Sequence, residues 1–143
     1  MNLLKKWWDI WQPKTLEDEV FGSLRPQGNG IFTGEGHFYP TGKTVQIYIN
    51  GLESGPSDAQ RSFYIKLQQT FPMIKDKMLP FLHRELNRPK QDFDKEFPIH
   101  AISIPNVLAP FFEWDMTFQM KHDPKHFCTV YFQVWEPTGV GID

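Results

Sequence analysis

The segment SDAQRSFYIKLQQTFPMIKDKMLPFLHREL, residues 57–86, carries the strongest periodic pattern in the chain. Its apolar residues recur every three or four positions, as on one face of a helix; they are Ala59, Phe63, Leu67, Phe71, Ile74, Met78, Leu82 and Leu86. Ser57 and Gln60 form the S-x-x-Q pattern of a capping box, and Pro56 restricts the residue before it to extended conformations. The pattern therefore predicts a helix that begins directly after Ser57.

Two prolines interrupt this helical pattern. Pro72 and Pro80 each remove a backbone hydrogen bond, which costs roughly 3 kcal/mol inside a regular helix. Because the apolar positions keep their phase across both prolines, we expect a long kinked helix, or two helices that meet near residues 70–72, and no loop. Asn87, Arg88 and Pro89 are expected to end it.

Segments on both sides of the helix show the composition of strands. The pattern predicts strands at residues 19–24, 31–39, 43–50, 97–104, 111–120 and 127–135. Strands with one polar face usually pair antiparallel and have one face covered. The predicted fold class is α+β: an antiparallel sheet of about six strands, ordered three strands, long kinked helix, three strands, with the helix packed on one face and an N-terminal amphipathic helix.

The length of the chain, 143 residues, fits one domain with a sizeable core, and the 13 phenylalanines favour dense packing over disorder. We therefore expect an N-terminal amphipathic aromatic helix at residues 1–13, a single α+β domain at residues 17–137 and a loose tail at residues 138–143.

Charge and cysteine usage restrict the classes of partner and compartment. A net charge of −2 without a long run of Lys or Arg argues against a nucleic-acid partner. Cys128 is the single cysteine, so an intramolecular disulfide is impossible. No apolar run is long enough to span a bilayer, and the N-terminus lacks the apolar region of a signal peptide. The sequence predicts a cytoplasmic protein.

The first segment is unusually rich in tryptophan, with Trp7, Trp8 and Trp11 on the same side of the predicted helix as Leu3 and Leu4. Such a helix is expected to dock on the domain or on a neighbouring subunit. The alternative is contact with a membrane surface, where tryptophan lies at the level of the headgroups. The short length of the helix and its acidic residue argue against this alternative.

Two short motifs resemble known sequences. Residues 19–24, EVFGSL, resemble the opening Phe-Gly-x-Leu strand of uncharacterised bacterial domain families, and residues 55–60, GPSDAQ, resemble the Pro-x-x-x-Gln helix start of the same families. The resemblance covers roughly residues 19–70. It implies no activity and no catalytic residue, and some members of these families look like immunity proteins of bacterial toxin systems.

Two carboxylates are the first candidates for chemistry. Glu113 and Asp115 are two residues apart on a predicted strand, so both side chains point to the same face. Paired carboxylates can hold a metal or divide acid and base roles. The alternative is a solvated polar row on the open side of the sheet.

Histidines and the cysteine give weaker signals. His122 and His126 fall in a predicted hairpin loop, which lacks the helical spacing that would align them on a metal. Cys128 shares a face with apolar neighbours and is expected to be a buried, inert thiol. The sequence therefore predicts no catalytic, cofactor-binding or metal-binding residue.

Aromatic side chains on the polar faces of the strands give the remaining signal. Tyr48, Tyr131 and Trp135 are predicted to lie opposite the core-facing positions, near Glu113 and Asp115, as in the hot spots of protein interfaces. A second layer, such as the N-terminal helix, could instead cover them.

These patterns favour a non-enzymatic protein-interaction module whose partner is an unknown protein or a second copy of the chain. One alternative is an enzyme or a ligand-binding or metal-binding domain with its site at Glu113 and Asp115. The other is peripheral membrane attachment through Trp7, Trp8 and Trp11.

Overall fold

The computed structural model describes residues 14–86 and 93–143. Within them the strands are β1 (Leu16–Asp18), β2 (Gly22–Gly28), β3 (Ile31–Phe38), β4 (Lys43–Asn50), β5 (Ile99–Ile104), β6 (Glu113–Met120), β7 (Asp123–Gln133) and β8 (Glu136–Ile142). The helices are α1 (Asp58–Gln69), α2 (Phe71–Leu86) and α3 (Phe93–Glu96). All strands form one sheet in the order of the chain.

The pairing of the strands is antiparallel at every junction except β4–β5, which is parallel. The chain leaves the end of β4, passes through the helices on one face and re-enters the sheet as β5. Parallel neighbours require such a crossover, whereas tight turns join antiparallel strands. Between β2 and β3 the turn contains Gly28, Asn29 and Gly30, all with positive φ. A Cβ at Gly30 would meet the carbonyl oxygen of Gly51 at 2.4 Å, so this turn requires glycine.

A buried glutamine fixes the start of the crossover. Gln60 completes the capping box, because its Oε1 accepts from the backbone N–H of Ser57 while the Ser57 hydroxyl accepts from the N–H of Gln60. Its amide nitrogen donates to the carbonyl oxygens of Asn50 at 2.8 Å and Pro105 at 2.9 Å. The start of α1 is thereby bonded to the chain at the end of β4 and just beyond β5.

The core lies between the helices and one face of the sheet. Phe38 on β3 meets Phe71 of α2 edge-on, with ring centroids 5.0 Å apart, and Trp114 on β6 meets Phe63 of α1 at 5.1 Å. The apolar positions of the helical pattern supply the helix side of this core, and the buried ones are Phe63, Leu67, Phe71, Ile74, Met78 and Leu82. The opposite face of the sheet is polar, and we call it the open face.

The predicted fold class is wrong in three respects. The structure is a mostly-sheet fold instead of α+β, its sheet has eight strands among the described residues instead of about six, and that sheet is mixed instead of antiparallel. One long kinked helix is also absent from the described residues, and the alternative of two helices that meet near residues 70–72 is confirmed by α1 and α2. Alternating polarity does not distinguish a parallel neighbour when a helical crossover returns the chain to the same end of the sheet. The helix ends at Thr70, and Pro72 lies in the first turn of α2, where its missing N–H has no partner to lose.

The C-terminal segment of the chain differs from its prediction. Residues 138–143 were predicted to be a loose tail, but β8 includes residues 136–142 and pairs with β7 from Cys128 to Gln133. The predicted helix at residues 1–13, with Trp7, Trp8 and Trp11, lies outside the described residues. Among the helices that the structure describes, none is both long enough and apolar enough to cross a bilayer.

Candidate interaction face

One line of side chains crosses the open face from β2 to β7. The strand register places one residue of each strand directly beside the next, and we call this line the central row; in order it contains Arg25, Thr33, Tyr48, Ser103, Asp115 and Tyr131. Residues in register on neighbouring strands project to the same side of a sheet. The strand pairings therefore bring together three of the predicted binding residues, Tyr48, Asp115 and Tyr131, which are far apart in sequence.

Two grooves lie along the central row, one on each side of Tyr48 in strand order. The arginine groove, about 440 Å³, is lined by Ser23, Arg25, Thr33, Glu35 and Gln46 together with neighbouring residues. The aspartate groove, about 360 Å³, is lined by Ser103, Glu113, Asp115, Tyr131 and Thr138 together with Trp114 and Phe132. The aspartate groove thus contains two acidic side chains, whereas the arginine groove contains one basic and one acidic side chain, Arg25 and Glu35.

Among the charged groups of the open face, Asp115 shows the clearest free-energy cost of burial. It is half-buried, and burial raises the pKa of its carboxyl above the ordinary value because water no longer fully solvates the charge. Within the described residues its carboxylate has no hydrogen bond and no ion pair. A desolvated carboxylate without a donor is the kind of group that a binding site retains and a folding core eliminates.

Tyrosines lie along the same row. The side chains of Tyr48 and Tyr131 are 46% and 47% exposed. Glycines of β8 make room for Tyr131: a Cβ at Gly141 would meet its ring at 3.3 Å, so the ring lies against the strand. The Thr138 hydroxyl donates to the backbone oxygen of Tyr131 at 3.3 Å. The ring of Tyr131 therefore packs against β8 and is still about half exposed.

Glu113 occupies the same face one pleat away from Asp115, opposite Gln133 of β7. It is exposed. The two carboxylates lie on one strand, and residues two apart on a strand are roughly 7 Å from each other at the Cα atoms. The prediction that Glu113 and Asp115 share a face is confirmed, and their role in binding a partner stays a prediction.

Trp135 does not lie on the open face, which corrects its predicted placement. Its ring stacks on Phe63 of α1 at 4.9 Å with an interplanar angle of 19°, and it meets Trp114 at 6.0 Å. Val134 has φ of 53°, a left-handed conformation that ends the alternation of β7, and the strand also shifts register at Tyr131 and Phe132. The turn therefore directs Trp135 to the helix side of the sheet.

A second buried carboxylate, which the sequence did not reveal, lies at the edge of the sheet. Asp18 at the end of β1 accepts from the backbone N–H groups of Val20 and Phe21, each at 3.0 Å. Arg61 of α1 donates to it from Nε at 2.9 Å, and its Nη2 forms an ion pair with the same carboxylate at 2.8 Å. Burial alone would raise the pKa of Asp18, but the bonds from Arg61, Phe21 and Val20 hold it below its usual value.

The groups suited to metal or nucleophilic chemistry do not combine into a site. His126 and Asp123 are 2.6 Å apart, and this bond lowers the pKa of the Asp123 carboxyl, but both lie on the surface. In the part of the chain that the structure describes, no three His, Cys, Asp or Glu side chains form a group that could hold a metal ion. Burial raises the pKa of the Cys128 thiol to about 11, which leaves it protonated and unreactive at neutral pH.

The arrangement on the open face is suited to binding and offers little for catalysis. A half-buried acid, exposed tyrosine rings and Ser and Thr hydroxyls can meet a polar surface with a positive charge. Arg25 is the charged member of the central row that the sequence missed, because the predicted strand ended at residue 24, before Pro26, Gly28 and Gly30. Pro26 is tolerated next to it, since β1 pairs only with residues 22–24 and leaves the outer side of β2 free beyond them.

Comparison of the chain with protein-family models, with curated proteins and with solved structures finds no match. The resemblance of residues 19–70 to uncharacterised bacterial domains stays a prediction.

Proposed function

We propose that this protein is a non-enzymatic interaction module of the cytoplasm that binds a protein partner through the open face of its sheet. The observation that carries the proposal is the half-buried, unpaired carboxylate of Asp115 between Ser103 and Tyr131. Such a group destabilises the isolated chain. A partner that supplies a positive charge or a hydrogen-bond donor removes this penalty on binding.

The tyrosines support the same surface. Interface hot spots are enriched in tyrosine because its ring contributes apolar area while its hydroxyl can still bond. Tyr48 and Tyr131 lie in the same row as Asp115, three strands apart from each other. At about 4.8 Å per strand the two rings are roughly 14 Å apart, a separation that lies within the extent of an ordinary interface. A resemblance to immunity proteins agrees with a protein partner and adds no residue to the site.

The experiment is a pull-down of the tagged full-length protein from its own host at moderate salt. Wild type is compared with Asp115→Asn and Tyr131→Ala, and with two control variants, Asp76→Asn and Met73→Ala, whose side chains are exposed on α2. The proposal predicts a near-stoichiometric partner that the face variants lose and the control variants keep.

Two outcomes would contradict the proposal. A partner captured equally by the wild type and both face variants would place binding elsewhere on the molecule. Loss of capture on removal of residues 1–13 alone, with the face variants unaffected, would assign the contact to the segment that contains Trp7, Trp8 and Trp11.

A further inference from the structure

The open face has an unpaired cation as well as an unpaired anion. Arg25 is exposed in the arginine groove and, among the residues that the structure describes, makes no ion pair. Arg25 and Asp115 occupy the same central row, on β2 and β6. Four strand spacings of about 4.8 Å separate them by roughly 19 Å, so they cannot pair within one chain.

Tyr48 lies midway between Arg25 and Asp115 in the central row. Tyr48 lies on β4, two strands from Arg25 and two strands from Asp115. A twofold axis that runs above β4 and along its direction places β2 of one copy over β6 of the other. Because this axis is parallel to the strands, each residue keeps its height along the strand direction. Arg25 of each copy therefore faces Asp115 of the other, and the pairing occurs twice.

The twist of the sheet is compatible with this packing. A regularly twisted sheet is a saddle, and a twofold axis along its central strand maps a saddle onto itself. Two copies related in this way present parallel surfaces, as in sheets that pack face to face about 10 Å apart. The grooves on either side of Tyr48 then lie over each other, the arginine groove of one copy against the aspartate groove of the second.

The remaining acids of the face do not oppose this arrangement. Glu35 on β3 lies in the row of Ala101 on β5, so the axis places it over a small neutral residue. Glu17 on β1 lies in the same row, and the axis places it over Thr129 of β7. Glu113 lies one pleat beyond Asp115 and falls near Gln27, which is neutral and polar. Like charges therefore do not face each other. Repulsion between like charges is the usual reason that a charged face cannot bind its own copy.

We infer that the partner of the open face is a second copy of this chain, in an isologous dimer in which Arg25 and Asp115 pair across the interface. The inference rests on the proposed function, because it names the partner of the same surface. Tyr48 lies at the axis and contacts its own counterpart.

Sedimentation velocity of the full-length protein tests the pairing. The wild type is expected to have twice the 16.8 kDa mass of one chain at high concentration. Arg25→Asp and Asp115→Arg each place like charges together at two symmetric contacts, so each should raise the dissociation constant at least about tenfold. The double variant, Arg25→Asp with Asp115→Arg, restores opposite charges and should recover the dimer. Arg84→Asp and Asp76→Arg on α2 are matched charge reversals that should leave it intact.

A cross-linking measurement avoids dependence on the charge variants. Tyr48→Cys introduces a thiol at the axis, and a short bifunctional maleimide should link two copies efficiently, whereas Met73→Cys on α2 should give little dimer. Cys128 is buried and should not react. Circular dichroism confirms that each variant is folded.

Three results would overturn the inference: a monomeric wild type at all concentrations, a dimer indifferent to both charge reversals, or a double variant that remains monomeric although folded. A monomer whose open face still captures a different host protein would reject self-pairing and retain the proposed function. A monomer that also captures nothing through this face would remove both.

Discussion

Asp18 and Asp115 are two partly or fully buried carboxylates in one small domain, and their surroundings are opposite. Asp18 accepts three hydrogen bonds, two from the backbone of its own turn and one from Arg61, with which it also forms an ion pair, and its pKa is lowered. Asp115 receives no donor from the described residues, and burial raises its pKa. The difference indicates that Asp18 contributes to folding, whereas Asp115 is retained at a cost to folding and is available to a partner.

Removal of Asp18 should have the largest effect on stability. Asp18→Ala leaves the N–H groups of Val20 and Phe21 without their acceptor and leaves Arg61 with only Asp58. We expect the free energy of unfolding to fall by about 3 kcal/mol, since a partner is removed from a buried network. Chemical denaturation measures this change. A loss no greater than that of Asp115→Ala would erase the distinction between the two acids.

Trp135 should behave like Asp18, because its contacts contribute to folding and not to the open face. Its ring stacks on Phe63, and the Lys66 ammonium lies 5.4 Å from its centroid. Trp135→Ala should therefore lower the free energy of unfolding by about 2 kcal/mol, below the range for fully buried aromatic rings because Trp135 is only partly buried. Partner capture or dimerisation, measured at a temperature where the variant is folded, should be unchanged. Unchanged stability with lost binding would return Trp135 to the interface.

Asp18 and Asp115 should contribute to the pH dependence of stability with opposite signs. The folded-state pKa of Asp18 is lowered, so its contribution is present above the unfolded value of 3.8 and is lost as pH falls through the lower folded value. The folded-state pKa of Asp115 is raised, so its penalty is present at neutral pH and disappears as pH falls through the raised value toward 3.8. Denaturation midpoints of Asp18→Asn and Asp115→Asn across acid pH should therefore deviate from the wild type in opposite directions.

The smallest expected effect is a gain in stability. Asp115→Asn removes a desolvated charge while it keeps the shape of the side chain, so the free energy of unfolding at neutral pH should rise. We expect less than about 1 kcal/mol, because the carboxylate still reaches water and is partly screened. Asp76→Asn on α2 is the matched control and should change nothing. A loss of stability in Asp115→Asn would show that the carboxylate has a donor that contributes to folding.

The sequence predicted the parts of this structure that depend on local periodicity. The capping box of Ser57 and Gln60 is confirmed, and alternation along β4, β6 and β7 placed Tyr48, Asp115 and Tyr131 on one face. Such patterns report which side of a strand is polar, because successive side chains point in opposite directions.

The sequence could not predict what depends on the pairing of distant segments. β8 contains Pro137, Gly139 and Gly141, a composition that is unfavourable for a strand, and it is stable because β7 supplies its hydrogen bonds. The parallel pairing of β4 with β5, the left-handed Val134 and the ion pair of Asp18 with Arg61 leave no periodic signal in the chain. The central row exists only once these pairings are formed.

Oxidative footprinting of tyrosine by mass spectrometry tests most directly that the open face is the binding surface. The protein is labelled while dilute and alone, and again when assembled with itself or with its captured partner. Tyr48 and Tyr131 should be protected on assembly, whereas Tyr39, 76% exposed in the loop after β3, should react equally in both states. Unchanged labelling of Tyr48 and Tyr131 in a complex that protects Met73 on α2 would contradict the account and place the interface on the helical side.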